Sequence, residues 1–208
     1  MSKVFFTSDT HFMHTRILTK VAALINKGRP WDDITEHDEA IIKRWNAVVG
    51  EKDEVYHLGD FALGRGNKKI LKCQYQIILH RLNGKKFLIA GNHDKELVKS
   101  LEGWKWVKDF ETIKVNKQRI CLCHYPLAAW GGSHYDGHTW HLHGHMHGTM
   151  RRSPYRYALD VGVDSWNFTP VEAGQVAEEF KDVDFKKLSE LEVVLQQPKK
   201  ETHPRLSF

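Results

Sequence analysis

Short segments that read as β-strands and end in aspartate, asparagine or histidine recur along this sequence, and they constrain its fold more than any other feature. The segments are Lys3–Ser8, Glu54–Leu58, Lys86–Ala90, Arg119–Cys123 and Thr139–His143. The polar residues that follow them are Asp9, His11, Asp60, Asn92, His93, Asp94, His124, His145 and His147. Because the C-terminal ends of parallel strands gather on one side of an α/β domain, where ligands bind, these side chains are predicted to meet in one place.

The spacing of apolar residues predicts helices between the first three strands, and this alternation is typical of an α/β fold with parallel pairing. Helices are expected at residues 17–25, at residues 41–49 behind an N-cap at Thr35, and at residues 69–82. After residue 104 the sequence becomes β-rich, with Asn116 and Lys117 as a hairpin turn. A further strand is expected at residues 155–163, and an amphipathic helix at residues 185–195.

Composition limits the classes of protein to which the chain can belong. Its 208 residues fit one compact domain, and a formal charge of +5 suits an anionic substrate but is too diffuse to mark a DNA-binding surface. The three cysteines form no zinc-binding pattern. No apolar stretch reaches about 18 residues, so no membrane partner is expected. The apolar run at the start is too short for a signal peptide, and we expect a cytoplasmic protein.

Carboxylate, carboxamide and imidazole groups at five strand ends are typical ligands of divalent metals. The chain carries 14 histidines, and seven of them lie between His124 and His147. Each motif alone has an ordinary alternative: Gly-Asp and Gly-Asn are common turn dipeptides, and a histidine-rich tract can bind metal adventitiously. The order of the motifs and their placement at strand ends favour a metal site.

Taken together, these motifs closely resemble those of the calcineurin-like metallophosphoesterase superfamily, in particular its small bacterial and phage-type branch. They are Asp9-Thr10-His11, Gly59-Asp60, Gly91-Asn92-His93-Asp94, His124 and Gly144-His145-Met146-His147. The resemblance implies an α/β fold in which two mixed β-sheets form a sandwich flanked by helices. We expect a metallophosphoesterase domain over residues 1–183, and a C-terminal helix with a loosely held tail over residues 184–208.

The resemblance also implies a site for two divalent metal ions. One ion would be held by Asp9, His11 and His147, the other by Asn92, His124 and His145, with Asp60 bridging the two. Mn²⁺ is the expected metal, with Fe, Ni²⁺ and Zn²⁺ left open. His93 matches the family's catalytic imidazole, and Asp94 is expected to orient it. From their spacing alone, His14 is a candidate contact for the substrate phosphate, with a surface role as the alternative. His143 is a candidate substrate contact in the cleft, with hydrogen bonding to the ligands as the alternative.

The function implied is hydrolysis of a phosphoester by a hydroxide that bridges the two metals. A phosphodiester or a nucleotide, including a nucleic acid end, is the favoured substrate. A phosphomonoesterase, a nucleotide pyrophosphatase and a non-catalytic metal-binding scaffold of the same fold stay open. Serine/threonine protein phosphatases carry an Asp-Arg pair where this chain has Leu63-Gly64, and Arg65 is displaced by one residue, which counts against that activity. The oligomeric state is left open.

The remaining histidines and the aromatic residues near the tract carry weaker expectations. His141 could support the ligands or line the cleft, and His57 is expected to be structural. His37, His80 and His203 are expected to be exposed. Three aromatic residues could stack on a base or belong to the core: Trp130, Tyr135 and Trp140.

Overall fold

The computed structural model describes residues 2–19, 28–134, 139–152 and 157–183. Its strands are β1 (Val4–Thr7), β2 (Glu54–His57), β3 (Lys85–Ile89), β4 (Trp104–Lys108), β5 (Phe110–Val115), β6 (Gln118–Cys123), β7 (Thr139–His143), β8 (Ala158–Asp160) and β9 (Val171–Glu172). Its α-helices are α1 (Ile34–Val48), α2 (Lys68–Arg81), α3 (Glu96–Lys99) and α4 (Ala173–Phe180). Short 3₁₀ helices lie at Thr15–Leu18 and Val163–Ser165.

The strands form two mixed sheets, as the sequence predicts. The first has the order β4-β3-β2-β1-β9, in which β1 to β4 are parallel and β9 runs antiparallel to β1. The second has the order β5-β6-β7-β8, in which β6, β7 and β8 are parallel and β5 is antiparallel to β6. The C-terminal ends of β1, β2, β3, β6 and β7 all lead into the predicted polar residues.

Two apolar layers hold the sheets and helices together, because successive strand residues point to opposite faces. Phe5 and Leu88 belong to the layer between the first sheet and helices α1 and α2. Their neighbours Phe6 and Ile89 belong to the layer between the two sheets. Both faces of the first sheet are therefore covered, which is typical of a largely parallel sheet.

Several predicted elements take a different form from the one expected. Asp33, not Thr35, is the N-cap of α1, because its carboxylate accepts the N–H groups of Thr35 and Glu36 at 2.7 and 3.2 Å. The expected helix at 17–25 is a 3₁₀ turn over Thr15–Leu18, and residues 20–27 lie outside the described residues. The strand expected at 155–163 corresponds to the shorter strand β8, Ala158–Asp160.

The expected hairpin turn at Asn116 and Lys117 is confirmed. Both residues have positive φ, 49° and 72°, as a two-residue turn between twisted strands requires. The predicted C-terminal helix and tail, and His203 with them, lie outside the described residues. Among the helices described, none is long and apolar enough to cross a membrane.

Trp45 anchors α1 to the first sheet, and its replacement gives a direct test of this packing. The side chain is 0% exposed, and its indole N–H donates to the carbonyl of Asn83 at 3.1 Å. We expect Trp45→Ala to lower the free energy of unfolding by about 3–5 kcal/mol in urea denaturation, because it leaves a cavity and an unpaired carbonyl. Trp45→Phe should cost less. Ile70→Ala, at a 60% exposed position, is the control and should change little.

Candidate metal centre

The loops that carry the predicted ligands have an unusual backbone. Five residues lie in the left-handed region, with φ between 46° and 68°: Asp9, His11, Asp60, His145 and His147. Residues other than glycine rarely adopt this conformation, and it persists only where the surrounding structure enforces it. Here the enforcement includes backbone hydrogen bonds between loops, from Asp9 N–H to the Gly59 carbonyl (2.9 Å) and from His11 N–H to the Asp60 carbonyl (3.0 Å).

Glycines next to the ligands let the loops approach one another. A Cβ atom at Gly91 would collide with the backbone and carboxylate of Asp60, and one at Gly144 would collide with Ser8 and the Asp9 carboxylate. The Gly-Asn and Gly-His pairs are therefore more than turn signals, since the glycine makes room for the ligand of a neighbouring loop.

Asp9, His11 and His147 form the first group of donor atoms. Asp9 Oδ1 lies 3.9 Å from His11 Nε2 and 3.7 Å from His147 Nε2, and one donor atom of each residue lies within 4.8 Å of the others. The other carboxylate oxygen of Asp9 accepts the N–H of His145 at 3.0 Å. Asp9 therefore has one oxygen committed to the loop after β7 and one directed at the two imidazoles.

Asn92, His124 and His145 form the second group. Asn92 Oδ1 lies 3.0 Å from His124 Nε2 and 3.1 Å from His145 Nδ1. His124 is 1% exposed, whereas His145 lies nearer the surface. The three residues come from loops after β3, β6 and β7, so both sheets contribute to this group.

Asp60 lies between the two groups. Its Oδ2 atom is 3.5 Å from His11 Nε2 in the first group and 3.6 Å from His124 Nε2 in the second. Its Oδ1 atom accepts the N–H of His93 at 2.8 Å. The carboxylate is 2% exposed. One oxygen of Asp60 is thus equally near to both groups, which is the position expected of a bridging ligand.

The chemistry of these groups fits divalent metal ions. Asp9 Oδ1 and His11 Nε2 are buried and lack a hydrogen-bond partner, and buried polar atoms of this kind require an explanation. Two ligands that each lie about 2.1 Å from one ion are about 3.0–3.5 Å apart, close to the separations found in both groups. Carboxylate and imidazole donors, without cysteine, suit Mn²⁺, Fe, Ni²⁺ or Zn²⁺.

Burial sets the protonation of the first group. Desolvation holds the pKa of His11 well below its usual value, helped by the positive charge of Arg29, so this imidazole is neutral and keeps a lone pair for a ligand bond. Burial also raises the pKa of Asp9, although the nearby His147 and His124 oppose that shift. A positive ion between these residues would relieve the cost of burying the carboxylate.

Outer hydrogen bonds fix which nitrogen of each imidazole faces the site. His124 Nδ1 donates to the carbonyl of Leu58 at 2.7 Å, and His147 Nδ1 donates to Asp164 Oδ2 at 2.9 Å. Each ring therefore turns its Nε2 lone pair toward the ligand groups. Burial lowers the pKa of His147, but its bond to Asp164 and the charge of Asp9 outweigh burial and raise it.

Arg29 is a residue of this site that the sequence did not reveal. Its guanidinium is buried and donates to both carboxylate oxygens of Asp164, at 3.0 and 2.9 Å. It also donates to the carbonyls of Asp9 (2.6 Å) and Thr10 (3.1 Å). Arg29 thus holds the Asp9 loop. It also orients the carboxylate of Asp164, which in turn orients His147. No motif marks it, because its partners lie 20 and 135 residues away along the chain.

His93 lies at the surface of the site. Its side chain is 39% exposed and its Nε2 lies 3.9 Å from Asp60 Oδ2. The expected role of Asp94 is not supported. Its buried carboxylate accepts three backbone N–H groups, from Asp60 (2.8 Å), Phe61 (2.9 Å) and Gly91 (2.9 Å), and does not orient the ring of His93. Burial raises the pKa of Asp94 to about 6.

The two histidines predicted to contact substrate differ in position. The half-buried ring of His14 lies beside the site, with Nδ1 3.0 Å from His11 Nδ1 and its centroid 6.0 Å from that of His93. His143 is 0% exposed and its Nδ1 donates to the Gly144 carbonyl, so it offers no surface to a substrate. Desolvation lowers the pKa of both rings to about 4.

Other histidines have structural contacts. His37, expected to be exposed, is fully buried between Arg29 (2.8 Å) and Asp38 (2.8 Å), because α1 turns it inward beneath the Asp9 loop. His57 is buried as expected and bonds to Thr10 Oγ1 at 2.9 Å. His141 is buried, with Nδ1 3.2 Å from the Cys121 carbonyl and Nε2 accepting from Leu127 N–H at 3.2 Å. His80 is exposed, as predicted.

Of the three aromatic residues considered for base stacking, Trp130 and Trp140 pack against other residues of the protein. Trp130 is 7% exposed and donates to the Thr139 carbonyl, and Trp140 packs on Phe180 with ring centroids 5.0 Å apart. Tyr135 lies outside the described residues. Tyr125, which the sequence analysis did not single out, is 43% exposed and lies 4.9 Å from the ring of His145. Its position directly after the ligand His124 was the available signal.

Comparison with known proteins identifies the family of the chain. The sequence model described as calcineurin-like phosphoesterase matches residues 2–186. The chain therefore belongs to the calcineurin-like phosphoesterase family, and the resemblance noted from the motifs is confirmed.

Individual relatives extend the comparison. An uncharacterized protein of Methanocaldococcus jannaschii is 32% identical over 176 residues, which cover 82% of this chain and 87% of that protein. The gene 66 protein of Mycobacterium phage L5 is 30% identical over 193 residues, covering 80% of this chain and 88% of its own. The crystal structure of a protein of unknown function from Aquifex aeolicus has the same fold, with a TM-score of 0.64 and 24% identity over 86% of this chain and 99% of that one.

Asp164→Asn tests the support of His147. The neutral amide weakens the pair with buried Arg29 and the hold on the imidazole, so we expect Mn²⁺ affinity to fall about 10–100-fold in calorimetric titration of metal-free protein. The free energy of unfolding should fall as well, because Arg29 loses its buried counter-charge. Asp109→Asn, at a carboxylate that is 88% exposed, is the control. Unchanged metal affinity in Asp164→Asn would contradict the assignment.

Buried neutral histidines predict acid sensitivity of the metal-free protein. Burial lowers the pKa of His57 to about 3 and that of His141 to about 4, from an ordinary value of 6.5. Below pH 6.5 the unfolded chain binds protons that the folded protein excludes, so stability falls with pH by about 1.4 kcal/mol per pH unit for each group. Urea titrations in chelator should show this loss between pH 6.5 and 4.

The slope can be assigned with two variants. His141→Gln should reduce the slope of the free energy of unfolding against pH by the contribution of one histidine, about 1.4 kcal/mol per pH unit. His80→Gln, at an exposed position, should leave this slope unchanged. If His141→Gln leaves the slope unchanged, His141 is not a neutral buried imidazole in the folded protein, and the prediction is wrong. Asp94 and Asp160, whose buried carboxyls have raised pKa values and act in the opposite direction, are the same in both proteins.

Proposed function

We propose that this protein is a phosphoesterase that uses two divalent metal ions to hydrolyse a phosphodiester or nucleotide. The observation that carries the proposal is the position of Asp60, whose Oδ2 lies 3.5 Å from His11 and 3.6 Å from His124, one in each donor group. Two cations close together need an anion between them, and a buried carboxylate in this position provides it.

In this proposal each of the two donor groups holds one metal ion. Asp9, His11 and His147 hold one ion, Asn92, His124 and His145 hold the other, and Asp60 is shared. Two divalent ions held there would supply Lewis acidity toward a phosphoryl oxygen and would lower the pKa of a bound water. Asn92 contributes a neutral oxygen, which keeps the negative charge of the ligands low relative to that of the ions.

His93 is proposed to serve the leaving group. Its Nε2 lies near Asp60 but its side chain is exposed, so it can reach a substrate oxygen on the solvent side of the site. The backbone N–H of the same residue is bound to Asp60 Oδ1, which fixes its distance from the bridge. From this position the imidazole can place a proton on the departing alkoxide. His14, beside it, is proposed to contact the substrate phosphate.

The finer features of the substrate are also proposals. The positive net charge favours an anionic ligand, and exposed Tyr125 beside His145 offers a ring against which a base or sugar could lie. A phosphomonoesterase or nucleotide pyrophosphatase would use the same groups. A non-catalytic scaffold is less favoured, because all seven predicted ligands are present and converge. Mn²⁺ as the native metal and a cytoplasmic location stay predictions.

Hydrolysis of chromogenic substrates tests the proposal. Protein stripped of metal and loaded with Mn²⁺ should hydrolyse bis(p-nitrophenyl) phosphate, and faster than p-nitrophenyl phosphate if it is a diesterase. Asp60→Asn should reduce the rate to that of a protein-free control, because the bridge loses its charge. Asp109→Asn is the matched control. Inactivity of the wild-type protein toward both substrates with Mn²⁺, Fe²⁺, Ni²⁺ and Zn²⁺ would refute the enzyme assignment.

The leaving group tests the role of His93. His93→Ala should slow cleavage of a diester with an alkoxide leaving group by about 10²–10⁴-fold. It should slow the p-nitrophenyl ester much less, since p-nitrophenolate departs without a proton. An equal effect on both substrates would show that His93 positions the phosphate instead of donating a proton.

A further inference from the structure

A cavity of about 570 Å³ begins at His93 and extends away from the metal ligands. It lies between the segment 62–68 that follows Asp60, helix α2, and residues 93–100. Its volume is within the range of about 300–1,000 Å³ that is typical of small-molecule sites. None of the seven predicted metal ligands lines it, so it is separate from the donor groups but opens beside the residue proposed to protonate the leaving group.

The floor of the cavity is apolar and firmly built. Leu71, Tyr75 and Val98 form it, and they are 7%, 3% and 2% exposed. The hydroxyl of Tyr75 accepts the N–H of Gly64, and a Cβ atom at Gly64 would lie 2.7 Å from Leu71 Cδ2. The loop after Asp60 is therefore pressed against α2, and the floor is a fixed surface that a flat ring could cover.

The rim of the cavity is positively charged. Lys68, Lys72 and Lys95 line it together with one carboxylate, Glu96. Lys68 and Lys72 are four residues apart on α2, so they share a face of the helix, and like charges at this spacing repel each other. Among the described residues neither has a carboxylate within ion-pairing distance. An anion at the rim would relieve this repulsion.

We propose that this cavity binds the leaving-group side of the substrate, and that the substrate is a nucleoside carrying a phosphate in addition to the one that is cleaved. The base or sugar covers the apolar floor, and the additional phosphate pairs with Lys68 and Lys72. This assignment rests on the proposed function. His93 is proposed there to protonate the leaving group, and because His93 lines the cavity, the leaving group is placed on the cavity side. A nucleoside diphosphate and a 5′-phosphorylated dinucleotide both carry this chemistry.

Binding in the absence of metal tests the cavity independently of catalysis. Calorimetric titrations of the whole chain in excess chelator would use ADP in one arm and 5′-phosphorylated dithymidylate in the other. We expect at least one probe to bind, and the tighter one identifies the source of the additional phosphate. Lys72→Glu and Lys68→Glu should each weaken that binding about tenfold or more, since a cation is replaced by an anion.

Lys69→Glu is the matched control. Lys69 is an exposed neighbour on the same turn of α2, but it does not line the cavity. Its substitution changes the net charge equally and should leave binding within about twofold of wild type. Failure of both probes to bind, or equal weakening by Lys69→Glu and Lys72→Glu, would overturn the proposal.

Hydrolysis of bis(p-nitrophenyl) phosphate separates the two proposals. This probe carries no additional phosphate for the rim, so its cleavage by the Mn²⁺-loaded wild-type protein tests the proposed function alone. Lys69→Glu, outside the cavity, should cleave it at the wild-type rate. If wild type cleaves it but binds neither nucleotide in chelator, the cavity proposal fails and the proposed function stands. If a nucleotide binds in chelator with the expected lysine dependence but no metal supports hydrolysis, the proposed function fails and the cavity remains a nucleotide site.

Discussion

The burial of two carboxylates side by side is the constraint on which the rest of this structure depends. Asp9 and Asp60 lie at the ends of neighbouring parallel strands, and their donor atoms, with one of His124, all fall within 4.8 Å of one another. Burial alone makes such a pair unfavourable. The surrounding structure compensates with backbone N–H groups from His93 and His145, with Arg29 behind the Asp9 loop, and with imidazoles from both sheets.

The same carboxylates join the two sheets. Asp9 follows a strand of the first sheet and accepts an N–H from the loop after β7 in the second. Asp94 and Asp160 tie loops within a single sheet. Asp94 joins the loops after β2 and β3 of the first sheet, and Asp160 accepts the N–H groups of Gly148 and Gly162, after β7 and β8 of the second, at 3.1 and 2.7 Å. The loops that carry the candidate ligands are thus tied together by hydrogen bonds to buried acids.

The sequence predicted what local pattern and strand order determine. Alternating segments indicated the parallel sheet, and the polar residues after each strand indicated the site, because strand ends converge whatever the packing details. It could not predict contacts that arise only in the folded chain. Arg29 and His37 meet beneath Asp9 through the packing of α1, and the carboxylate of Asp94 reaches backbone groups where a ring was expected. At α1, the sequence analysis placed the N-cap at Thr35, whereas the cap is Asp33, two residues earlier, because its carboxylate reaches the first N–H groups of the helix.

The left-handed backbone at five ligand positions limits what can replace them. Apart from glycine, that region is entered most readily by asparagine, aspartate and histidine, whereas β-branched side chains clash there. These three residue types are also donors that divalent metals accept. Substitution at Asp9, Asp60 or His147 is therefore restricted by the main chain as well as by the proposed metal ligation. The residue types that the main chain accepts at these positions, glycine apart, are thus largely those whose side chains can also bind a metal ion.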